Sequence, residues 1–400
     1  MKKMLILALA ALSTVGASAQ KQVVDQAAKL SGKTADLAQA RSLIQQAMND
    51  EETKNDSRTY FVGGKLEFDA FDNSMRSMQV GGEVDPLEMG QELLNGYVMF
   101  AKAFPIDSVA DAKGKVKAKH SKDMVNLLAN HHNDYFNAGA QFYNAKMLYP
   151  QAFQSFMIYA DMPDNASLGK HAPVIPDSVR ATAYFNAGLS AYYGSAVKEA
   201  VKALKKARKL GVPQVDSYIL EIASWQNIAQ NDSTMEDAAK MNIQAIAQDG
   251  YNRFGMAQPL FFNNLVNYMV SDSKYDEALK LIDGELANNP ELASLYGLKG
   301  FVYDRQGDED KSVEAYRKAA SIEAADFETL KNAAKKLFRV GQEKWNVLEG
   351  NSADVRQERQ NIRENYFMAA KKIAEQAKAM NPDDGNLSDV IESIDYALTL

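Results

Sequence analysis

Three observations predict an all-α protein built from a repeated pair of helices. Apolar residues recur at steps of three and four along almost every segment after residue 20, which is the spacing of one helix face. Gly, Asn, Asp and Pro interrupt this pattern every 15 to 20 residues, and alternating β-branched runs are nearly absent. Residue classes also recur 34 positions apart, for example from Phe262 to Tyr296 and from Ala278 to Ser312.

Residues 1–19 have the pattern of a cleaved export signal. Lys2 and Lys3 precede a short apolar stretch, and a small-residue site, Ala17-x-Ala19, ends it. The apolar stretch is too short for a membrane-spanning helix, which needs about 20 apolar residues. We expect cleavage after Ala19 and export to a bacterial periplasm, because the chain has no lipid-acceptor cysteine and no visible retention signal.

Small residues recur at two fixed positions of each helix pair. Two antiparallel helices approach to about 8–10 Å only where their side chains are small. The first-helix positions are Gly64, Gly139, Gly188, Val266, Gly300 and Ala334, and the second-helix positions are Gly96, Ala152, Ala200, Ala278, Ser312 and Ala370. All of them except Val266 are Gly, Ala or Ser, whereas average composition would place such residues at roughly one position in four.

This arrangement resembles the tetratricopeptide repeat (TPR) family, whose repeats place aromatic, small and apolar residues at these spacings. The stretch Tyr296-x3-Gly300-x2-Tyr303 fits the family pattern best, and the pentad Tyr-Phe-Asn-Ala-Gly occurs at both 135–139 and 184–188. The resemblance implies a TPR-like α-solenoid of about six to seven antiparallel helix pairs with a C-terminal cap helix.

Breaks in the period predict the domain organisation. Residues 20–160 form divergent N-terminal repeats, and the Pro-rich insertion at 161–180 is a candidate hinge. Residues 181–385 hold the C-terminal repeats, and 386–400 form the cap helix that a solenoid needs to cover its last repeat.

No motif for catalysis or cofactor binding is recognisable. The chain contains no cysteine, which excludes thiol nucleophiles, disulfides and iron–sulfur clusters. Phosphate-binding loops, nucleophile elbows and the common zinc and calcium motifs are also missing. We therefore predict that the protein is not an enzyme and has no cofactor and no metal site. The formal charge of −7 argues against a nucleic-acid partner, since phosphate contacts need a basic surface.

Several polar residues have simpler interpretations than metal binding. Neighbouring side chains on a helix point about 100° apart, so we expect His131 and His132 at the surface or in a groove rather than on a shared metal. Asp304, Asp308 and Asp310 fall where the repeat turns between its helices, which predicts roles in the turn and the N-cap.

A basic run at 196–210 contrasts with the acidic chain around it. Two interpretations stay open: a solvated outer face, with cations favoured near the helix C-terminus by its dipole, or a docking patch for an acidic protein or an anionic glycan. The run contains Lys198, Lys202, Lys205, Lys206, Arg208 and Lys209 against Glu199.

The leading functional hypothesis is a non-catalytic scaffold or adaptor that binds a protein or peptide in the cell envelope. In TPR-like arrays the first helix of each pair lines the concave face, and residues one, five and eight positions after its leading aromatic point into it. These offsets select the partner-binding candidates Phe136, Tyr143, Phe185, Tyr192, Asn263, Asn267, Phe301, Lys331 and Lys335. Such a surface would be aromatic in its middle, and its two C-terminal lysines suggest a carboxylate contact.

A glycan- or nutrient-binding protein is the alternative, resembling the TPR-containing outer-membrane sugar-uptake proteins. Those proteins are usually lipid-anchored and carry long inserted loops, whereas this chain has no cysteine and only modest insertions. A further alternative for the aromatic residues is burial against neighbouring helices or under a loop from 161–178.

We predict that the native protein begins at Gln20, because the small residues at 17 and 19 form the expected cleavage site. N-terminal sequencing of the protein isolated from its source would test this, and a sequence that starts at Met1 would contradict it.

Overall fold

The computed structural model describes residues 21–33, 36–110, 113–116 and 118–400, and these residues are predominantly helical. The β-structure within these ranges is one isolated bridge between Ala110 and Val116. The prediction of an all-α fold is therefore confirmed. The predicted export signal at 1–19 lies outside the described residues.

The helices divide into two compact units, the first ending at Ile246 and the second beginning at Ala247. The first unit contains α1 (21–30), α2 (Leu37–Asn49), α3 (Ser57–Gln79), α4 (Pro86–Asp107), α5 (Ser121–Asn130), α6 (His132–Asn144), α7 (Tyr149–Asp161), α8 (Asp177–Tyr193), α9 (Val197–Lys209) and α10 (Val215–Asn231). The boundary lies inside α11 (Glu236–Phe254). The second unit continues with α12 (Pro259–Ser271), α13 (Tyr275–Asn288), α14 (Ala293–Gln306), α15 (Glu309–Ser321), α16 (Phe327–Asn346), α17 (Ala353–Ile362), α18 (Ala369–Met380) and α19 (Gly385–Thr399).

Six sets of two helices pack as the antiparallel pairs that the sequence predicts, five of them consecutive and the sixth separated by α17. The pairs are α3–α4, α6–α7 and α8–α9 in the first unit, and α12–α13, α14–α15 and α16–α18 in the second. Every predicted small residue lies in the expected helix of its pair, and every one of them is buried. The register of these six pairs is therefore the one read from the sequence.

A large side chain of the second helix covers each of the four first-helix glycines at the crossings. A Cβ added to Gly188 would lie 2.5 Å from Cγ of Leu204, and one added to Gly300 would lie 2.8 Å from the ring of Tyr316. The same contact joins Gly64 to Phe100 and Gly139 to Phe156. In all four pairs the covering residue lies one helical turn after the small residue of its own helix.

The turn inside a pair uses the left-handed backbone conformation. Lys146, Ser195, Ser273 and Gly307 have φ values of 59°, 60°, 58° and 88°. Each of them lies seven residues after the crossing position of its first helix. A side chain in this conformation costs roughly 1 kcal/mol because its Cβ crowds the backbone, and only the glycine at 307 avoids this cost.

Two insertions lengthen the array. In the first unit, the short turns Met162–Asp164 and Ala166–His171 follow α7, and the second of them packs against α5 with Leu168 buried. In the second unit, α17 and a π-helical turn over Arg363–Met368 join α16 to α18. The division between units therefore differs from the predicted one, since 161–180 lies within the first unit. Its role as a hinge stays a prediction.

The cap helix at the C-terminus is confirmed. It begins after Asp384, whose carboxylate accepts a hydrogen bond from the backbone N–H of Leu387 at 2.7 Å. Leu387 and Ile394 are fully buried and join the core that α16 and α18 form. The apolar face of the last pair is thus covered by the chain itself.

Two of the histidines lie inside the first unit, so the expectation of surface or groove positions for them is wrong. The ring of His132 stacks on Tyr159 with centroids 4.3 Å apart, and burial lowers its pKa. The ring of His131 stacks on Phe68 at 5.2 Å, and its Nδ1 lies 3.0 Å from Asp134. Both imidazoles serve as flat packing partners in an aromatic core, a use that their sequence position does not reveal.

The buried carboxylate of Glu92 lies near Arg41, a cation that already pairs with Glu67. Arg41 donates two hydrogen bonds to Glu67, at 2.9 and 2.6 Å, and its guanidinium lies 3.7 Å from Glu92. Oε2 of Glu92 is buried and has no hydrogen-bond partner among the described residues. Burial, partly offset by the charge of Arg41, raises the pKa of Glu92 to about 7.

We expect Gly188→Ala to lower the free energy of unfolding by about 1–3 kcal/mol, because the new methyl group overlaps Leu204. Gly188→Leu should cost at least as much. The matched control is Gly284→Ala in α13, where no atom lies within 4 Å of the added Cβ. That change should raise stability by about 0.5–1 kcal/mol, since alanine is the better helix former, and the exposed Lys202→Ala should change it by less than about 0.5 kcal/mol. Chemical denaturation measures these differences, and equal midpoints for the two glycine variants would contradict the crossing contact.

Glu92→Gln is expected to stabilise the protein in a pH-dependent way. The folded-state pKa of about 7 lies above the ordinary value of 4.5, so protonated Glu92 favours folding fully below pH 4.5 and this contribution is lost as the pH rises through 7. The substitution should therefore raise the free energy of unfolding by about 1–3 kcal/mol at pH 8 and by much less at pH 5. Denaturation at both pH values tests this, with the exposed Glu83→Gln as control. A gain that does not depend on pH would refute it.

Candidate binding surface

Four tyrosines form a cluster at the ends of neighbouring helices in the first unit. The ring centroid of Tyr143 lies 5.8 Å from that of Tyr149 and 6.4 Å from that of Tyr193. Tyr192 meets Tyr193 edge-on at 5.9 Å. We call Tyr143, Tyr149, Tyr192 and Tyr193 the tyrosine cluster. It combines the ends of α6 and α8 with the start of α7. The tight turn at Lys146 joins α6 to α7 and so brings the start of α7 next to the end of α6.

The tyrosine cluster is held in place by its own contacts and remains open to solvent. Tyr193 is 54% exposed, and the other three rings are half-buried. Burial and the two neighbouring phenols raise the pKa of Tyr143, so its hydroxyl is protonated at neutral pH. The surface therefore offers aromatic faces together with hydroxyl groups that donate and accept hydrogen bonds.

Sequence reasoning identified two members of this cluster and missed two. Tyr143 and Tyr192 were selected by their offset from the leading aromatic of the repeat, and Tyr149 and Tyr193 fall outside that offset. A signal for the missing pair was available, since Tyr193 follows another tyrosine directly and Tyr149 stands next to a proline at a helix start.

The predicted phenylalanines of the first unit contribute mainly to packing. The ring of Phe136 meets those of Phe156 and Tyr159 edge-on, with centroids 5.2 Å apart in both cases. Phe185 is half-buried against a cluster that contains Leu204. Of the four predicted aromatic residues of the first unit, Phe136 and Phe185 are thus packing residues, whereas Tyr143 and Tyr192 belong to the tyrosine cluster.

In the second unit the predicted residues are more polar and less connected. Asn263 and Asn267 are exposed and lie one helical turn apart on α12. Phe301 on α14 is half-buried and packs against the core around Phe262.

The two C-terminal lysines were predicted to contact a carboxylate of a partner, but Lys331 already pairs with carboxylates of its own chain. Nζ of Lys331 lies 2.9 Å from Asp384 and 3.4 Å from Glu328. This hydrogen bond raises the pKa of Lys331, and the same contact, with the nearby charge of Lys335, lowers the pKa of Asp384. Because Asp384 also caps α19, Lys331 holds the start of the cap helix against α16. Whether Lys331 and Lys335 bind a partner as well stays a prediction.

The acidic cluster near α14 has two roles. Asp308 caps α15 by accepting a hydrogen bond from the backbone N–H of Lys311 at 3.2 Å, as predicted. Asp304 instead accepts hydrogen bonds from Lys336 at 2.5 Å and Arg339 at 2.7 Å. These ion pairs reduce the basic character that the sequence suggested for this end of the surface.

The described part of the chain contains no group of three or more His, Cys, Asp or Glu residues placed to hold a metal ion. A search of the same residues found no helix with the length and apolar character needed to cross a membrane.

No family model and no curated protein matches the chain. Solved structures that are similar to it include YrrB, a TPR protein with an unusual peptide-binding site, at 17% identity over 54% of this chain and 90% of YrrB, with a TM-score of 0.31. The TPR domain of P58(IPK) is 11% identical over 95% of this chain and 98% of that domain, with a TM-score of 0.27. The TPR2AB domain of yeast Sti1, solved in complex with pHSP90, is 12% identical over 68% of this chain and 99% of that chain, with a TM-score of 0.23.

The fold is TPR-like. Three features of this chain show the TPR-like fold: its helix pairs, the small residues at their crossings, and the turn that lies seven residues after the first-helix crossing residue.

Proposed function

We propose that this protein is a non-catalytic scaffold that binds a protein or peptide in the cell envelope through the tyrosine cluster of its first unit. The observation that carries the proposal is a set of solvent-accessible tyrosines that are held in place by contacts with one another. Aromatic residues in a fixed position are the commonest energetic anchors of protein interfaces.

Tyrosine suits this role for a physical reason. Its side chain has only two rotatable torsions, so a large contact area forms at a small cost in conformational entropy. Contacts of 5.8–6.4 Å with two further rings already restrict Tyr143 before any partner arrives. Binding therefore loses little additional freedom, and apolar or aromatic partner side chains are the expected occupants.

The envelope location is part of the proposal. The charged, apolar and small-residue pattern of residues 1–19 supports export, and the periplasm is the compartment we propose. A glycan ligand is the alternative, because exposed aromatic rings also stack on sugar rings. The two ligand classes are separated by testing the same variants against a captured protein partner and against a glycan array.

We expect the double variant Tyr143→Ala/Tyr193→Ala to weaken partner binding by at least about tenfold, since each truncated anchor typically contributes 1 kcal/mol or more. The partner is first captured by cross-linking in an envelope extract and identified by mass spectrometry. Its affinity is then measured for each variant.

Three comparisons make this result specific to the cluster. Tyr143→Phe/Tyr193→Phe keeps the rings and should retain most of the affinity, and Tyr396→Ala removes an exposed tyrosine of the cap helix and should have no effect. Two further double variants test the candidates selected by their offsets in the repeat: Tyr143→Ala/Tyr192→Ala and Lys331→Ala/Lys335→Ala. Full binding by every alanine variant, with unchanged circular dichroism, would show that the tyrosine cluster is not the site.

A further inference from the structure

Four lysines form one exposed row along α9. Lys198, Lys202, Lys205 and Lys209 follow one another at steps of four, three and four, which places them on a single helix face. All four are exposed, and none takes part in the ion pairs of the described chain. We call these residues the lysine row.

The other two cations of the basic run are used within the fold. Nζ of Lys206 lies 2.6 Å from Asp161, and Nε of Arg208 lies 2.9 Å from the buried Glu221. The run is therefore not uniform. Two of its cations form ion pairs that stabilise the packing of α9, whereas in the row of four Lys198 has an acidic neighbour, Asp232, on which it acts through its charge without forming an ion pair.

An open, partly apolar cleft adjoins the lysine row. It has a volume of about 540 Å³ and lies between the second helices α4, α7 and α9. Tyr97, Phe153, Met157 and Ile158 supply its apolar lining, and Lys202 belongs both to the cleft and to the row. A ligand that fills the cleft would therefore lie alongside the row.

We propose that the lysine row and this cleft form a second docking surface, which binds an acidic amphipathic helix of a partner protein. The row extends over twelve residues, whose eleven steps of about 1.5 Å give a length of about 16 Å, or three turns of such a helix. Carboxylates at the same helical spacing would face the lysines, and apolar side chains on the adjoining face would enter the cleft.

Charge favours this occupant over a membrane surface or a polyanion. The chain has a formal charge of −7, so the lysine row is a narrow positive strip on an acidic protein. Asp161 and Glu199 also line the cleft. An extended anionic surface would place negative charge against these acids, whereas an amphipathic helix would place its carboxylates on the lysine row and its apolar side chains in the cleft. Its approach would be steered by the local positive potential.

The surface is tested with a fluorescent amphipathic peptide of about 18 residues, or roughly five turns, with glutamates along one face and leucines along the next. The protein is the full mature chain, and fluorescence anisotropy at low salt reports binding. We expect this peptide to bind at least tenfold more tightly than a copy with lysine in place of glutamate. Replacing its leucines with serine should also weaken binding, because the cleft then stays unfilled.

Charge reversal identifies the lysines. The double variant Lys202→Glu/Lys205→Glu should lower the affinity for the acidic peptide at least tenfold. It should bind the lysine peptide more tightly than the unmodified protein does. The control Lys280→Glu/Lys372→Glu makes the same change at exposed sites of the second unit and should have no effect. Circular dichroism confirms that each variant is folded.

Two results would overturn the proposal. One is equal affinity of the acidic and lysine peptides for the unmodified protein. The other is tighter binding to phosphatidylglycerol vesicles than to the peptide, lost in the same double variant, which would identify a lipid surface as the ligand. The tyrosine variants should not change the affinity for the peptide, because the tyrosine cluster is a separate surface. If the peptide experiment contradicts the docking surface at the lysine row, the proposed function of the tyrosine cluster is still tested by its own variants.

Discussion

Four of the helix pairs share one close crossing, where a glycine of the first helix lies under a large side chain of the second. At Gly188 there is no room for even a methyl group beneath Leu204. In the pair α14–α15 the hydroxyl of Ser312 also donates a hydrogen bond to the carbonyl oxygen of Gly300 at 2.9 Å. Because interiors are close-packed, this crossing fixes how near the helices lie and which residues of each face outward.

The positions of the outer surfaces follow from that crossing. Once the crossing directs one stripe of each helix inward, the remaining stripes differ in chemistry between the two helices of a pair. In the first unit, α6 and α8 end in tyrosines, whereas α9 presents lysines. The array therefore offers two chemically different surfaces on one set of pairs, which suits a protein that holds more than one partner.

The sequence was sufficient for features that are set by neighbours close along the chain. Crossing residues, turns and caps depend on spacings of a few residues, so the six pairs and the cap at Asp308 could be predicted. Contacts between distant residues could not. Lys331 pairs with Asp384, 53 residues away, and the stacking of His132 on Tyr159 depends on the packing of α6 against α7. Half of the tyrosine cluster was missed for the same reason, because its members come from three helices.

The left-handed turns make the pairs energetically unequal. Lys146, Ser195 and Ser273 bear the steric cost of this backbone conformation, and Gly307 does not. A difference of about 1 kcal/mol changes an opening equilibrium roughly fivefold. In an array whose repeats contact mainly their neighbours, such differences act locally, and we expect the turn to contribute to how readily each pair opens. Substitutions at these four positions would thus change which helix pair opens most readily. The side chains of the two proposed binding surfaces would stay the same.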